Sequence, residues 1–314
     1  MPEDNSANHA FVSLAKRAAA TVFFTFFPAD CRICNAPLLE ISRIPVCQAC
    51  ISAIHPLQGT YCAVCGQDLH LPWHDDAHSD AADTASEKPD KNDARCLLCQ
   101  RTDPPYERAV AYGSYDGPLR DLIHLLKFQQ VRPTSNVLGR MLAQTISALE
   151  STMPVGKIVV VPVPLYSRKR AQRGFNQAEA IASSALQKLN RPERFALCTS
   201  ILLRRLDTAS QIGLTRYQRR ENLRGAFEVR DPTRIAKRDI LLIDDVFTTG
   251  ATASECARVL LRAGAARVWV ATVVRTLTLD HSSLFVAPEI MRENSCDNFA
   301  AEGSEYRARI DAQR

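Results

Sequence analysis

The chain has 314 residues, 46% of them hydrophobic and 23% charged. This composition excludes a disordered or fibrous chain and supplies apolar surface for one sizeable domain with a smaller companion. Thirty-nine basic residues against 34 acidic ones leave a net charge of +5, too small an excess to name a polyanionic partner by itself.

Residues 1–30 begin polar and then run apolar from Ala18 to Phe27, behind Lys16 and Arg17. No small-residue cleavage site follows, and the run is too short to span a bilayer. It predicts a helix packed on the neighbouring domain, with a helix lying on a membrane surface as the alternative. The expectation is therefore a cytoplasmic chain without a transmembrane segment, peripheral to the membrane in the second case.

Residues 31–105 hold eight of the eleven cysteines, arranged as the C-x-x-C pairs Cys31/Cys34, Cys47/Cys50, Cys62/Cys65 and Cys96/Cys99. In a reducing compartment cysteines in this format are metal ligands rather than disulfide partners. Each pair presents two thiolates to one ion, and two pairs complete a tetrahedral sulfur site that suits Zn²⁺. An iron–sulfur cluster is the competing reading, although the uneven spacing usual for one is missing. Sequence order puts Cys31, Cys34, Cys47 and Cys50 on one ion and Cys62, Cys65, Cys96 and Cys99 on a second; interleaved pairing fills the same two sites. A closed four-sulfur site keeps no position open for chemistry, so both are expected to be structural.

An insertion at about residues 70–91 is rich in Asp, Ala, Ser and His and carries Pro72 and Pro89, which predicts a disordered excursion. Its His70, His74 and His78 read as part of a solvated loop. Cys198, Cys256 and Cys296 lack a partner at metal spacing and read as buried or idle thiols.

Residues 106–278 alternate apolar runs with amphipathic stretches. Leu119, Leu122, Ile123 and Leu126 recur at helical spacing after the turn Asp116-Gly117-Pro118. Ile158–Val161, Ile240–Ile243 and Val268–Val274 are uninterrupted, β-branched runs of the kind buried on both faces of a parallel sheet. Between the last two lies a helical stretch, Ala253 to Ala263, with Gly264 where a C-terminal cap belongs. The order strand, loop, helix, strand is a βαβ unit. Residues 279–314 are polar and aperiodic and read as a loose tail.

The chemistry concentrates in Leu241-Leu242-Ile243-Asp244-Asp245-Val246-Phe247-Thr248-Thr249-Gly250-Ala251-Thr252. A buried strand delivers two acids at its carboxyl end, where ligands of open α/β sheets gather. The helix that follows offers unsatisfied N–H groups to a phosphate, Thr248, Thr249 and Thr252 add hydroxyls, and Gly250 permits close approach. Two adjacent carboxylates would repel a bare phosphate, so they suit ribose hydroxyls or a hard cation such as Mg²⁺. This string resembles the 5-phosphoribosyl-1-pyrophosphate (PRPP) motif of type I phosphoribosyltransferases. That resemblance implies that Asp244 and Asp245 are the catalytic acids holding the ribose, and that Thr248, Thr249, Gly250, Ala251 and Thr252 cradle the 5-phosphate.

Two basic clusters accompany it. Arg168, Lys169, Arg170 and Arg173 follow Val161-Pro162-Val163-Pro164-Leu165, which ends the first buried strand, with Gly174, Phe175, Asn176 and Gln177 behind them. The resemblance implies a loop there that binds pyrophosphate, through Arg168, Lys169, Arg173, Gly174 and Asn176. The second cluster holds Gln211, Leu214, Arg219, Asn222, Ala226 and Phe227 and lacks a strong apolar period. It reads as a mobile segment closing over an anionic ligand, with Arg219 facing PRPP, or as a solvated helix.

Leu122-Ile123-His124-Leu125-Leu126-Lys127-Phe128, Arg173-Gly174-Phe175-Asn176-Gln177 and Arg219-x-x-Asn222-x-x-x-Ala226-Phe227, in order behind the cysteine segment, resemble the ComF/GntX-like family of competence-associated proteins from about Pro28 to Thr276. The resemblance implies a type I phosphoribosyltransferase-like parallel sheet with helices on both faces, preceded by a small double zinc ribbon. It also implies a part in single-stranded DNA uptake during natural competence. Three functions are compatible with it: phosphoribosyl transfer with release of pyrophosphate, binding of single-stranded DNA or of the uptake machinery, and non-catalytic sensing of PRPP.

Overall fold

A computed structural model describes residues 29–38, 42–69, 95–207 and 216–276. The expected N-terminal helix, the insertion with its three histidines, Cys296 and the polar tail lie outside the described residues.

The cysteine segment carries two short helices, α1 (Gln48–Ser52) and α2 (Leu97–Thr102). Then come β1 (Arg108–Ser114), α3 (Gly117–Phe128), α4 (Thr134–Leu149) and β2 (Ile158–Pro162). They are followed by α5 (Ser167–Arg173), α6 (Gln177–Leu186), β3 (Phe195–Leu197) and β4 (Leu202–Arg204). The chain continues through α7 (Arg216–Leu223), β5 (Phe227–Val229), β6 (Asp239–Phe247), α8 (Ala251–Arg262) and β7 (Arg267–Arg275).

Five of these strands form one sheet in the order β1-β7-β6-β2-β3, and every pairing in it is parallel. β4 and β5 make a separate antiparallel pair. The apolar runs of β2, β6 and β7 supply side chains to both faces, as expected for a parallel sheet covered on both sides. On one face Ile158, Val160, Leu241, Ile243, Trp269 and Ala271 pack with α3, α4 and α6. On the other, Val159, Val161, Ile240, Leu242, Val268 and Val270 pack with α8 and with Leu202, Leu223 and Phe227 from β4, α7 and β5.

The helix boundaries have local causes. Pro118 sits in the first turn of α3, where a missing N–H costs nothing. α8 buries Ala253, Cys256, Ala257 and Leu260 at three- and four-residue spacing. It ends in a Schellman motif: Gly264 has φ of 98°, its N–H donates to Leu261 O at 3.0 Å, and Ala265 N donates to Leu260 O at 3.1 Å.

The first basic cluster differs from the sequence expectation, and the second takes the helical one of its two readings. The first basic cluster forms a short helix, α5, closed by left-handed Gly174, rather than a loop. Much of the second is a helix, α7, anchored by the fully buried Leu223; Gln211 and Leu214 lie outside the described residues. A single buried leucine in eight residues is too weak a period to read from sequence.

Leu142 is fully buried in α4 against this sheet. Leu142→Ala is expected to destabilise the fold by about 3 kcal/mol, measured by urea unfolding.

Candidate functional site

The cysteines form two groups in sequence order. Cys31, Cys34, Cys47 and Cys50 bring four sulfurs within 4.8 Å of one another, and so do Cys62, Cys65, Cys96 and Cys99. Four zinc–sulfur bonds of about 2.3 Å at tetrahedral angles place neighbouring sulfurs about 3.8 Å apart. The Cys31–Cys50, Cys34–Cys47 and Cys65–Cys96 sulfurs stand at 3.9, 3.6 and 3.7 Å. The donor set therefore fits Zn²⁺, and these spacings are far too long for disulfides.

The two halves are built alike. In each, the first pair sits on a turn closed by a residue of positive φ, Asn35 at 57° and Gly66 at 71°. The second pair opens a short helix, α1 or α2, with Cys47 or Cys96 at its N-cap. Backbone N–H groups point at the sulfurs: Cys47 N to Cys31 Sγ and Cys96 N to Cys62 Sγ, both at 3.3 Å. The first group joins the core on the α3/α4 face, and the second joins the core on the α8 face.

The strand-end site is built around β6, the middle strand of the five. The strand runs on through both acids to Phe247, and Asp244 is opposite Thr272 of β7. Asp245 is 4% exposed, and its N–H donates to Asp244 Oδ1 at 2.9 Å. The Asp245 carboxylate pairs with Lys127 Nζ at 2.9 Å. Burial, and then the neighbouring Asp245 charge, push the Asp244 carboxyl up to about 7; Lys127 and Arg204 oppose the shift.

Thr248 to Gly250 turn the chain into α8. Gly250 has φ of 76°, and a Cβ there would stand 2.7 Å from the Phe247 ring and 3.3 Å from the Tyr106 hydroxyl. Conformation and space both demand glycine. The Thr249 hydroxyl is buried and has no hydrogen-bond partner among the described residues. An orphaned hydroxyl beside the N–H groups of a helix N-terminus is the donor set that a phosphate satisfies. Ala251 and Thr252 form the first turn of α8.

Arg173, after β2, stands close enough to Asp245 to feel its charge. Its guanidinium lies 5.6 Å from the Phe128 ring centre and donates to Gln177 Oε1 at 3.0 Å. Burial lowers its pKa, and the nearby Asp245 charge opposes that shift. Arg168 is exposed, Lys169 is half-buried, and Arg170 reaches Glu179 at 3.6 Å. Asn176 is buried as the N-cap of α6: it accepts from Ala178 N at 3.1 Å and donates to Val163 O at 3.0 Å. Its carboxamide ties the exit of β2 to that helix. Arg219 lies half-buried on α7.

Lys127 was not among the residues singled out for binding. A lone cation in the last turn of a helix reads by default as a complement to the helix dipole. The signal was its place in the Leu122–Phe128 string, where it sits one position before an aromatic ring that is 65% exposed.

A family model for a double zinc ribbon domain matches residues 22–83. The DNA utilization protein YhgH of Escherichia coli K12 is 33% identical over 254 residues, covering 80% of this chain and 98% of that protein. Competence protein F of Haemophilus influenzae is 28% identical over 249 residues, covering 78% and 96%. Among solved structures, a hypoxanthine phosphoribosyltransferase from Staphylococcus aureus matches 46% of this chain and 64% of its own, with 13% identity and a TM-score of 0.26.

Two outcomes are expected of this site. Metal analysis should find two zinc ions per chain, and a strong chelator should lower the melting temperature, because ligation contributes folding energy. The folded value of Asp244 lies above its unfolded 3.8, so the folded chain holds that proton more tightly. Stability from this group is therefore lost as pH rises from 3.8 to about 7. Asp244→Asn should stabilise the ligand-free chain by on the order of 2 kcal/mol at pH 8 and by little at pH 4, read by denaturant unfolding.

Proposed function

Because the chain belongs to the ComF/GntX family of competence-associated proteins, we propose that it binds Mg²⁺–PRPP at the end of β6 and transfers the phosphoribosyl group to an acceptor, releasing pyrophosphate. The observation that carries this reading is the turn after β6. There a buried, unpartnered Thr249 hydroxyl, a glycine with no room for a side chain and a helix N-terminus meet beside two acids. A sugar that carries both vicinal hydroxyls and a phosphate has the chemistry to use all of them.

In this reading the 5-phosphate accepts from the amides of the turn and from the Thr248, Thr249 and Thr252 hydroxyls. Asp244 and Asp245 accept from the ribose hydroxyls. They would also hold Mg²⁺ together with the ligand's own oxygens, and the ion supplies charge neutralisation for the diphosphate. Lys127 and Arg173 stand on the side of Asp245 and face the leaving group, with Arg168 and Lys169 of α5 contributing field. The bond from C1 to the pyrophosphate oxygen breaks, and its electron pair leaves with that oxygen. The acceptor's lone pair forms the new bond to C1, and its proton passes to solvent. Orientation and leaving-group stabilisation carry the rate. The carboxamide of Asn176 acts by holding α6 and the Arg173–Gly174 corner in place.

The names of the relatives direct the reading toward handling of DNA. Exposed cations on α5 and on and just after α7, Arg168, Arg170, Arg220 and Arg224, supply the phosphate contacts that a single strand needs. No helix among the described residues is long and apolar enough to cross a membrane.

Calorimetry with Mg²⁺–PRPP is expected to show saturable binding. Asp244→Asn combined with Asp245→Asn should weaken it by about a hundredfold or more, since both sugar contacts lose charge. Unaltered binding by that double variant would overturn the assignment. A screen of bases and amines in the presence of PRPP and Mg²⁺ should find one that triggers pyrophosphate release. Tight binding with no release from any acceptor would make the protein a PRPP sensor. Binding of single-stranded oligonucleotides should fall steeply with added salt, and no binding at low salt would remove DNA as a direct partner.

A further inference from the structure

Arg275, the last residue of β7, is 3% exposed and lies between the second cysteine group and the phosphate turn. Its Nη1 donates to the carbonyl of Cys65, and its Nη2 donates to Gln67 Oε1 at 3.1 Å. Its guanidinium stands 5.4 Å from the ring centre of Phe247, its register partner on β6. That ring limits the space at Gly250, and the edge of Tyr106 closes it at a centroid separation of 6.4 Å. The contact is equally tight on the ribbon side. A Cβ on Gly66, the residue after Cys65, would stand 2.8 Å from Arg275 Nη1. The ribbon is also docked on β1, through Ala109 N to Val64 O at 2.7 Å and Arg108 Nε to Ala63 O at 2.8 Å.

A buried guanidinium needs partners or a counter-charge. Here its bonds go to the cysteine knuckle, and four thiolates on a divalent ion would leave that knuckle with net negative charge facing it. Its apolar face is spent on the ring that shapes the turn. From this we infer that Arg275 is a positioning residue. It transmits the geometry of the second cysteine group to the phosphate turn through Phe247, so that turn and ribbon are ordered as one unit. The first group, which joins the core on the other face of the sheet, has no such connection to the turn among the described residues. This gives the second zinc ribbon a task beyond its own folding, namely holding the turn in its ligand-ready shape. The inference rests on the phosphate-binding reading of that turn.

The test compares wild-type, Arg275→Met and Arg275→Lys proteins in their zinc-loaded form, with ribose 5-phosphate as the probe. Arg275→Met keeps length but loses both donors and the cation over Phe247. Ribose 5-phosphate affinity should fall about tenfold. Amide exchange at Ser254 and Thr276, whose N–H groups donate to Gly250 O and Phe247 O at the turn, should accelerate, while exchange at Ile158–Val161 and the zinc content stay unchanged. Arg275→Lys, which keeps the charge but not the forked donors, should recover part of both effects. Where Arg275→Met does not fold, Gly66→Ala pushes the guanidinium from the ribbon side, on the knuckle turn beside Cys65, and with zinc content confirmed unchanged it should give the same local exchange signature. Folded Arg275→Met or Gly66→Ala protein with wild-type exchange at the turn overturns the inference. Absence of ribose 5-phosphate binding by wild type would instead count against the phosphate site, and the exchange comparison would still decide the role of Arg275.

Discussion

A parallel strand buried on both faces can place polar groups only at its ends, and that constraint organises the molecule. β6 is the middle strand, flanked by β2 and β7, with Ile240 to Ile243 fully buried. Asp244 and Asp245 are its first acids after that run, in the last residues before the strand ends at Phe247, with Asp245 still buried. The turn that follows must clear Phe247 and enter α8 at once, which leaves room only for glycine at position 250. Two carboxylates, an orphaned hydroxyl and a helix N-terminus are brought together by the path of one continuous segment.

The cost of that placement is electrostatic. Two adjacent carboxylates in a covered position cannot both ionise freely. The fold answers by giving Asp245 the Lys127 ammonium at 2.9 Å and by letting Asp244 hold its proton up to about 7. Hydroxyl donors or a divalent cation brought to these carboxylates would relieve the same repulsion. The cation that offsets Asp245 arrives from α3, on the opposite end of the domain sequence from β6.

Much of this was legible in the sequence. The three apolar runs became β2, β6 and β7, the helix with its glycine cap became α8, and the eight paired cysteines formed two four-sulfur groups. Other features were not legible because they depend on tertiary contact. Lys127 joins the acids only because α3, packed on one face of the sheet, brings its last turn to Asp245. Arg275 reads as the polar end of a strand until the ribbon is seen to bury it. The part Asn176 plays as the cap of α6, tied to Val163 O, was also not legible beside its glycine. α5 buries no residue and α7 buries Leu223 among its described side chains, so neither helix carries an apolar period that the sequence could show. The pairing of the cysteines was open in sequence, since sequential and interleaved schemes use the same residues; the structure adopts the sequential one.

The account stands on a sugar phosphate being held jointly by Asp244, Asp245 and the Thr248–Thr252 turn. Crystals grown with Mg²⁺ and PRPP test this most directly. The predicted result is density with the 5-phosphate against the amides of residues 249–252, the ribose hydroxyls on the two carboxylates, and Lys127 turned toward the diphosphate. Density for PRPP elsewhere on the chain, with Thr249 still unpartnered and the Lys127–Asp245 pair unbroken, would contradict it.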